Sequence, residues 1–199
     1  YNFVVQWGDG TSGTVTSASD PDATHVYADR GTQNIAITGI INGWSFNGIG
    51  DKLKLTNISD WGSLGLGNEG GAFKGAENFT LSTADAPDLT GVTNLGDTFS
   101  GAAAFNSDVS AWDVSAVTDM SGMFSGSGFT GDVSGWDTGS VTTMGGMFAD
   151  TAFNGDVSEW DTSSLTDINN MFNASAFTGD ISGWDVTGIT NASGLFQNI

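Results

Sequence analysis

A 24-residue unit that occurs four times in succession constrains this 199-residue chain more than any other feature of its sequence. The units begin at residues 105, 129, 153 and 177. Each unit carries one tryptophan at the same place: Trp112, Trp136, Trp160 and Trp184. A fixed period of this length is typical of proteins in which each repeat packs only on its neighbours.

The pattern within one unit predicts a short strand followed by a short helix. The strand is expected at residues 108–114, and the apolar residues Val117, Met120, Met123 and Phe124 after it would share one face of a helix. Threonines are expected to cap the start of that helix, at Thr118, Thr142, Thr166 and Thr190. The sequence therefore predicts a β-rich repeat solenoid, a right-handed leucine-rich-repeat-like coil with a short parallel strand and a short helix or 3₁₀ turn in each repeat.

The register of such a coil decides which way the tryptophans point. It places Val109, Trp112 and Val114 on the inside. The position before the tryptophan then faces solvent, which suits Glu159, because a buried glutamate would be costly. We therefore expect Trp112, Trp136, Trp160 and Trp184 to form a structural ladder. The alternative is an exposed aromatic strip that binds sugars or a protein partner.

The first part of the chain differs from the repeats. Residues 1–45 are predicted to form a small N-terminal β cap over the first coil, with strands at residues 1–7, 14–16, 25–27 and 33–38. The single histidine, His25, is predicted to be a packed residue rather than a catalytic one. Residues 46–199 are predicted to be the repeat domain, with atypical coils first and regular repeats at 105–199.

The repeat resembles a known family. The unit FNGDVSEWDTSSLTDINNMF, at residues 153–172, is similar to the BspA-type leucine-rich repeat of bacterial surface proteins, and the likeness covers roughly residues 46–199. The pattern Trp7-Gly8-Asp9-Gly10 with His25-Val26-Tyr27 resembles the PKD-type β-sandwich. The resemblance implies an extracellular protein of the bacterial cell surface, often an adhesin, and it brings no catalytic residues with it.

Charge and composition limit the kinds of partner that the chain can bind. Four basic and 23 acidic residues make the formal net charge −19, so nucleic acid and anionic membranes would be repelled. Direct membrane insertion is not expected, because no apolar run reaches 18 residues. The sequence shows no Ser-His pair with supporting residues, no phosphate loop and no cysteine, so we do not expect an enzyme. A polysaccharide-active enzyme is the least favoured alternative, because every repeat carries the same acids and a catalytic pair needs one special environment.

Two columns of aspartates are the candidate binding residues. The first contains Asp113, Asp137, Asp161 and Asp185. Together with Glu159 and the small residues Ala111, Gly135 and Gly183 on the concave strand face, it is the predicted ligand-binding face. The second contains Asp108, Asp132, Asp156 and Asp180, which are candidate metal ligands. Each carboxylate is expected either to accept turn amides or to coordinate Ca²⁺ together with the next coil. No cofactor is required in either interpretation, and Ca²⁺ is the candidate ion.

These features predict a non-catalytic extracellular adhesion or cohesion module that binds a protein or glycan on a cell surface through its repeats. A passive structural spacer within a large surface adhesin is the alternative. The last repeat runs to Ile199 without a polar cap. We therefore expect either further chain or a homodimer through the solenoid, since an uncapped coil exposes its core.

Overall fold

The structure is a computed structural model that describes residues 2–83 and 85–199. Tyr1, the first residue of the first predicted strand, lies outside the described residues. The described residues form six strands: β1 (Asn2–Gln6), β2 (Ser12–Val15), β3 (Ala36–Asn42), β4 (Asn57–Ile58), β5 (Leu64–Gly65) and β6 (Thr80–Leu81). Helical turns among the described residues are limited to two short 3₁₀ segments, Pro21–Ala23 and Lys52–Lys54.

The N-terminal sheet has the order β2-β1-β3-β5. β1 is the centre of an antiparallel group, with Phe3 opposite both Val15 of β2 and Gly39 of β3. β5 pairs in parallel with the end of β3 and therefore joins the sheet from beyond residue 45. The sheet thus crosses the predicted boundary at that residue, and the division into two domains stays a prediction.

The β1 and β2 strands lie close to where the sequence predicts them. The third observed strand, β3, begins later than the predicted 33–38 segment, and residues 25–27 are not a strand. Those residues pack against the turn after β1 instead: the rings of His25 and Trp7 are stacked with centroids 4.9 Å apart. A second, two-stranded sheet pairs β4 with β6 in parallel.

The predicted leucine-rich-repeat-like solenoid with its N-terminal β cap is wrong. Neither sheet runs through the repeats, and no described repeat contains a helix. The predicted strand at residues 108–114 is built of turns, one of which is closed by the Trp112 amide donating to the Val109 carbonyl at 3.1 Å. Isolated parallel bridges connect the repeats in the segment predicted to be helical, through Asn94, Asp119, Thr143, Asp167 and Asn191.

Backbone conformation explains why the helix does not form. In the segment after Val117, Gly122 and Gly126 have φ of 62° and 64°. The third repeat has the same alternation at Asn170 and Ala174, both with φ of 53°. A left-handed residue at every fourth position interrupts a right-handed helix, because the α-helix requires negative φ throughout.

Backbone hydrogen bonds between repeats run in one direction along these segments. We call residues 95–101, 120–126, 144–150, 168–174 and 192–198 the ladder segments. At each junction, alternate N–H groups of one segment donate to carbonyls of the next. Phe124 donates to the Met147 carbonyl at 3.0 Å, and Phe148 donates to the Met171 carbonyl at 2.9 Å.

The core of the repeats is an aromatic cluster. One column of phenylalanines, which includes Phe148, comes from the ladder segments. A second column, which includes Phe153, comes from the start of each unit. The ring centroids of Phe148 and Phe153 are 3.8 Å apart, and their planes meet at 6°. Along the first column, Phe148 lies 5.7 Å from Phe124 and 5.9 Å from Phe172. All four rings are fully buried. Burial of each such side chain stabilises the fold by about 1.5–3 kcal/mol, so the cluster stabilises the stacked turns of the repeats.

Candidate functional site

The four repeat tryptophans lie in the core. Trp112, Trp136, Trp160 and Trp184 are between 4% and 6% exposed. The indole Nε1 of Trp136 donates to the Val109 carbonyl of the preceding repeat at 3.1 Å, and Trp160 and Trp184 make the equivalent bonds at 3.0 and 2.9 Å. The tryptophans therefore do not form the exposed aromatic strip of the alternative interpretation.

The first aspartate column occupies tight turns directly after the tryptophans. Asp161 Oδ1 accepts the Ser163 amide at 3.0 Å, and Asp185 Oδ1 accepts the amide and the hydroxyl of Thr187 at 2.9 and 2.7 Å. Asp113 Oδ1 accepts the Ser115 amide at 3.2 Å, and Asp137 Oδ1 accepts the Gly139 amide at 3.2 Å. These contacts match the interpretation in which the carboxylates accept turn amides.

The second aspartate column has the same local geometry. Asp108, Asp132, Asp156 and Asp180 each accept the amide of the serine two residues later, at 2.8–2.9 Å. All four side chains lie at the surface of the repeats. Together we call the eight residues of both columns the repeat aspartates: Asp108, Asp113, Asp132, Asp137, Asp156, Asp161, Asp180 and Asp185.

Hydrogen bonding favours the ionised form of carboxylates in both columns, as Asp108 and Asp161 show. The Ser110 amide, followed by the Ser110 side chain, lowers the pKa of Asp108 below its usual value of 3.8. The Ser163 hydroxyl, followed by the Ser163 amide, lowers the pKa of Asp161 in the same way. Neighbouring carboxylates act in the opposite direction, but they are the smallest contributors to the pKa of Asp185 and Asp156. The turn hydrogen bonds thus outweigh the mutual repulsion within each column.

No group of three or more acidic or histidine side chains converges on one point within residues 2–83 and 85–199. A cation held by the repeat aspartates would therefore have to be shared between two repeats and completed by carbonyls, hydroxyls or water. The coordination of Ca²⁺ by Asp108, Asp132, Asp156 and Asp180 stays a prediction.

The residues before the tryptophans also lie at the surface. Ala111, Gly135, Glu159 and Gly183 are all exposed. They belong to turns and not to the concave face of a parallel sheet, so the predicted strand face does not exist. Glu159 is the one charged member of this column and lies beside the first aspartate column.

The threonines predicted to be helix caps have another role. The Thr142 amide and hydroxyl both donate to the Thr118 carbonyl, at 2.9 and 3.0 Å. Thr166 makes the same pair of bonds to Thr142 at 2.9 and 3.0 Å. The prediction was wrong because no helix begins here, and the hydroxyls join successive repeats instead.

A third polar column was missed by the sequence analysis. Asp119 Oδ1 accepts the Ser121 amide at 2.8 Å, and Asp167 Oδ1 accepts the Asn169 amide at 2.8 Å. Both aspartates stand at the parallel bridges between repeats, and Asp167 Oδ2 also accepts from the Asn191 side chain at 3.1 Å. The signal was a polar residue with a side-chain oxygen at position 119 and its equivalents: Asn94, Asp119, Thr143, Asp167 and Asn191. It was overlooked because the segment had been interpreted as a helix.

A separate polar cluster holds the turn after β1. His25 Nε2 lies 2.7 Å from Asp9 Oδ2, and the Thr11 hydroxyl donates to Asp9 Oδ1 at 2.6 Å. The Tyr27 ring meets the His25 ring edge-on, and the Tyr27 hydroxyl donates to the Trp7 carbonyl at 3.0 Å. The Thr11 hydroxyl and then His25 lower the pKa of Asp9 to about 2. These contacts connect Asp9, Thr11, His25 and Tyr27, so the cluster stabilises the turn after β1.

No helix among the described residues combines the length and apolar character needed to cross a membrane. A search of curated proteins gives no match to the chain, and a search of solved structures gives none either. One family model does match, over residues 68–152 and again over residues 127–199. The two matches together cover residues 68–199, which include all the regular repeats, and this is consistent with a surface repeat protein. The chain therefore belongs to the family described as Mycoplasma protein of unknown function, DUF285.

Proposed function

We propose that the chain is a non-catalytic adhesion or cohesion module of a bacterial surface protein, which binds a protein or glycan through the exposed polar side of its repeats. The observation that supports this most is the pair of aspartate columns, which recur at two positions per unit over a buried aromatic core, with Glu159 beside one of them in sequence. The finer resemblance to BspA-type repeat proteins supports the extracellular location.

The turn geometry suits a binding surface. Asp161 and Asp185 are each held by the amide two residues later, so their carboxylates are already oriented before a partner arrives. Immobilising a flexible side chain on binding costs about 0.5–1.5 kcal/mol, and a preorganised carboxylate avoids much of that cost. A ligand with regularly spaced hydroxyl, amide or ammonium donors would match such a column.

The uniformity of the repeats argues for binding rather than catalysis. Asp132, Asp156 and Asp180 make the same hydrogen bond to the serine two residues later, within 0.1 Å of one another. An acid-base pair needs two carboxyl groups whose environments separate their pKa values. In the second column, the pKa of every aspartate is shifted in the same direction, to a lower value.

A passive spacer is the second candidate. It is favoured by the same turn hydrogen bonds, because a carboxylate that stabilises its own turn has a structural reason to be present. Under this proposal the repeat surface would bind nothing, and the acids would serve only turn formation and solubility.

A glycan and protein array, probed with the whole chain in the presence and absence of Ca²⁺, separates the two candidates. The adhesion proposal predicts saturable binding that is lost in the double variant Glu159→Ala with Asp161→Asn. Asp29→Asn is the control for a lost charge, since Asp29 is exposed and lies outside the repeats. Absence of binding by the wild-type chain, or equal loss in the Asp29→Asn control, would contradict a recognition role for the repeat face.

A further inference from the structure

One edge of the N-terminal sheet is protected by acidic side chains. This edge is the outer side of β2, the strand at one end of the order β2-β1-β3-β5. The Thr14 amide donates to Asp22 Oδ2 at 3.0 Å, and the Thr16 amide just after β2 donates to Asp20 Oδ2 at 3.0 Å. Two carboxylates thus occupy the outward amides of this edge. Charged side chains at an edge are one way in which proteins prevent a further strand from pairing there.

The other side of the sheet is only partly covered. β5 pairs with the last two residues of β3 and with no others. The Gly43 amide donates to the Gly65 carbonyl at 2.9 Å, so it points away from β1 and towards β5. Because successive residues of a strand direct their N–H and C=O groups to alternate sides, those of Ile37 and Gly39 point in the same direction as the Gly43 amide.

The outward groups of Ile37 and Gly39 have no partner in the described part of the chain. Within residues 2–83 and 85–199, neither residue forms a backbone hydrogen bond outside the β1–β3 pair. A Cβ added at Gly39 would lie 2.8 Å from the Cα of Phe3, its opposite residue in β1. Such a close approach is typical of a residue pair that exchanges no hydrogen bonds, which confirms that Gly39 directs its backbone groups outwards. We call this side of residues 36–40 the open edge.

The open edge lacks the features that protect β2. Residues 31–50 contain no charged residue and no proline. Ile37 is 42% exposed and Ile40 is 60% exposed, and the two side chains lie on opposite faces of the strand. An edge with exposed apolar side chains and free backbone groups is a template for pairing with another strand.

We propose that the open edge pairs with the open edge of a second copy of the chain, in antiparallel orientation about a two-fold axis at Thr38. In this register Ile37 of one copy lies opposite Gly39 of the other, and each of the two symmetric pairs exchanges two N–H···O bonds. Ile40 lies opposite Ala36 of the other copy. Each isoleucine therefore meets a small residue, and Thr38 meets Thr38, so the edge is complementary to itself.

The length of the open edge fits this contact. β5 occupies β3 from Ile41 onwards, and the symmetric pairing uses only residues 36–40. Both copies can therefore keep β5 in place when they pair. This inference does not depend on the proposed function, because it concerns the N-terminal sheet and not the polar side of the repeats.

Charge also favours this part of the chain for self-association. Sixteen of the 23 acidic residues lie after residue 75, and none of the four basic residues does. Two copies that met through their repeats would bring these acids together. Pairing at the open edge places uncharged segments at the contact, so it differs from the homodimer through the repeats that the sequence predicts.

The first test is the mass of the whole chain by analytical ultracentrifugation over a wide range of protein concentration. The solution contains about 0.15 M salt, so that charges more than about 8 Å apart are largely screened. We expect a monomer–dimer equilibrium. Thr38→Lys should weaken dimerisation by about tenfold or more, because two like charges would lie directly opposite each other.

Thr14→Lys is the matched control. Thr14 and Thr38 both lie opposite Val4 of β1, so they belong to one cross-strand row, and both are exposed. The two substitutions add the same charge, but Thr14 lies on the protected edge and its variant should dimerise as the wild type does. Equal weakening of the dimer by Thr38→Lys and Thr14→Lys would overturn the proposal, and so would a wild-type chain that stays monomeric at every concentration.

Amide hydrogen exchange of the wild type locates the contact without any variant, so it decides the question even if Thr38→Lys does not fold. The amides of Ile37 and Gly39 should exchange more slowly as the protein concentration rises. The Thr38 amide, which faces β1, should change little. Exchange at Ile37 and Gly39 that stays fast in the dimer would overturn the proposal. Slow exchange at every concentration would overturn it as well, because another segment of the same chain would then cover the edge.

Discussion

Two tryptophans with almost equal burial differ in one hydrogen bond, and that difference can be measured. Trp61 is 3% exposed and Trp160 is 4% exposed. The Trp160 indole donates to the Val133 carbonyl at 3.0 Å, whereas the Trp61 indole Nε1 is buried without a partner among the described residues. The reason is positional: the carbonyl that receives Trp160 belongs to a repeat one unit earlier. Trp61 lies between β4 and β5, and no regular repeat precedes it.

The substitutions Trp160→Phe and Trp61→Phe remove the same atoms and so have similar transfer and cavity terms. Trp160→Phe also loses a buried hydrogen bond, worth about 0.5–1.5 kcal/mol. The Val133 carbonyl is not left without a donor, since it also accepts the Trp136 amide at 3.2 Å, so no further desolvation penalty is added. Trp61→Phe removes an unpaired buried donor and should recover part of its cost. We expect Trp160→Phe to be more destabilising than Trp61→Phe by about 1–2 kcal/mol in the free energy of unfolding.

Equilibrium urea denaturation of the whole chain, followed by far-UV circular dichroism, gives both values. The slope with urea should be the same in the two variants, which shows that the same surface is exposed on unfolding. Equal destabilisation by Trp160→Phe and Trp61→Phe would refute the reasoning, because the repeat-to-repeat indole bond would then contribute nothing. A larger effect of Trp61→Phe would mean that its indole has an acceptor in solution.

Three more predictions concern the core, the acids and calcium. Phe148→Ala should lower the free energy of unfolding by about 3–5 kcal/mol. Phe196→Ala should lower it by less than half of that, because of these two rings only Phe148 is stacked on both sides. Equal losses of stability in urea denaturation would contradict this prediction. Stability should fall as the pH drops from about 4 towards 2. A lowered folded-state pKa stabilises the fold above the ordinary value of 3.8, and this advantage disappears as Asp9, Asp108 and Asp161 are protonated. A melting temperature that rises over this range would show that relief of charge repulsion dominates. If the aspartate columns bind Ca²⁺, added Ca²⁺ should raise the melting temperature more than Mg²⁺ does at matched ionic strength, and the double variant Asp137→Asn with Asp161→Asn should lose this difference. Equal shifts in the melting temperature of the wild type and the variant would contradict Ca²⁺ binding by these columns.

The sequence predicted the positions of the aspartate columns better than it predicted their surroundings. The spacing of 24 places Asp137 and Asp161 at equivalent positions whatever the fold is. It also left open whether each carboxylate accepts a turn amide, as Asp161 does from Ser163. The bridge column of Asp119 and Asp167 was hidden, because a helix would have pointed these side chains at solvent and not at the next repeat.

By itself the sequence determined the period, the apolar positions and the acidic surface. Val109 and Trp112 are buried, and Glu159 is exposed. Their burial and exposure depend on hydrophobicity and charge, which are properties of the residues themselves. Only the tertiary structure decided the backbone. Ala174 and Asn170 adopt positive φ although neither is glycine, and that conformation is stable because it directs the Ala174 and Asn170 amides to the carbonyls of Gln197 and Ser193 in the next repeat. The energy that outweighs helix propensity comes from stacking between repeats, which no single 24-residue unit contains.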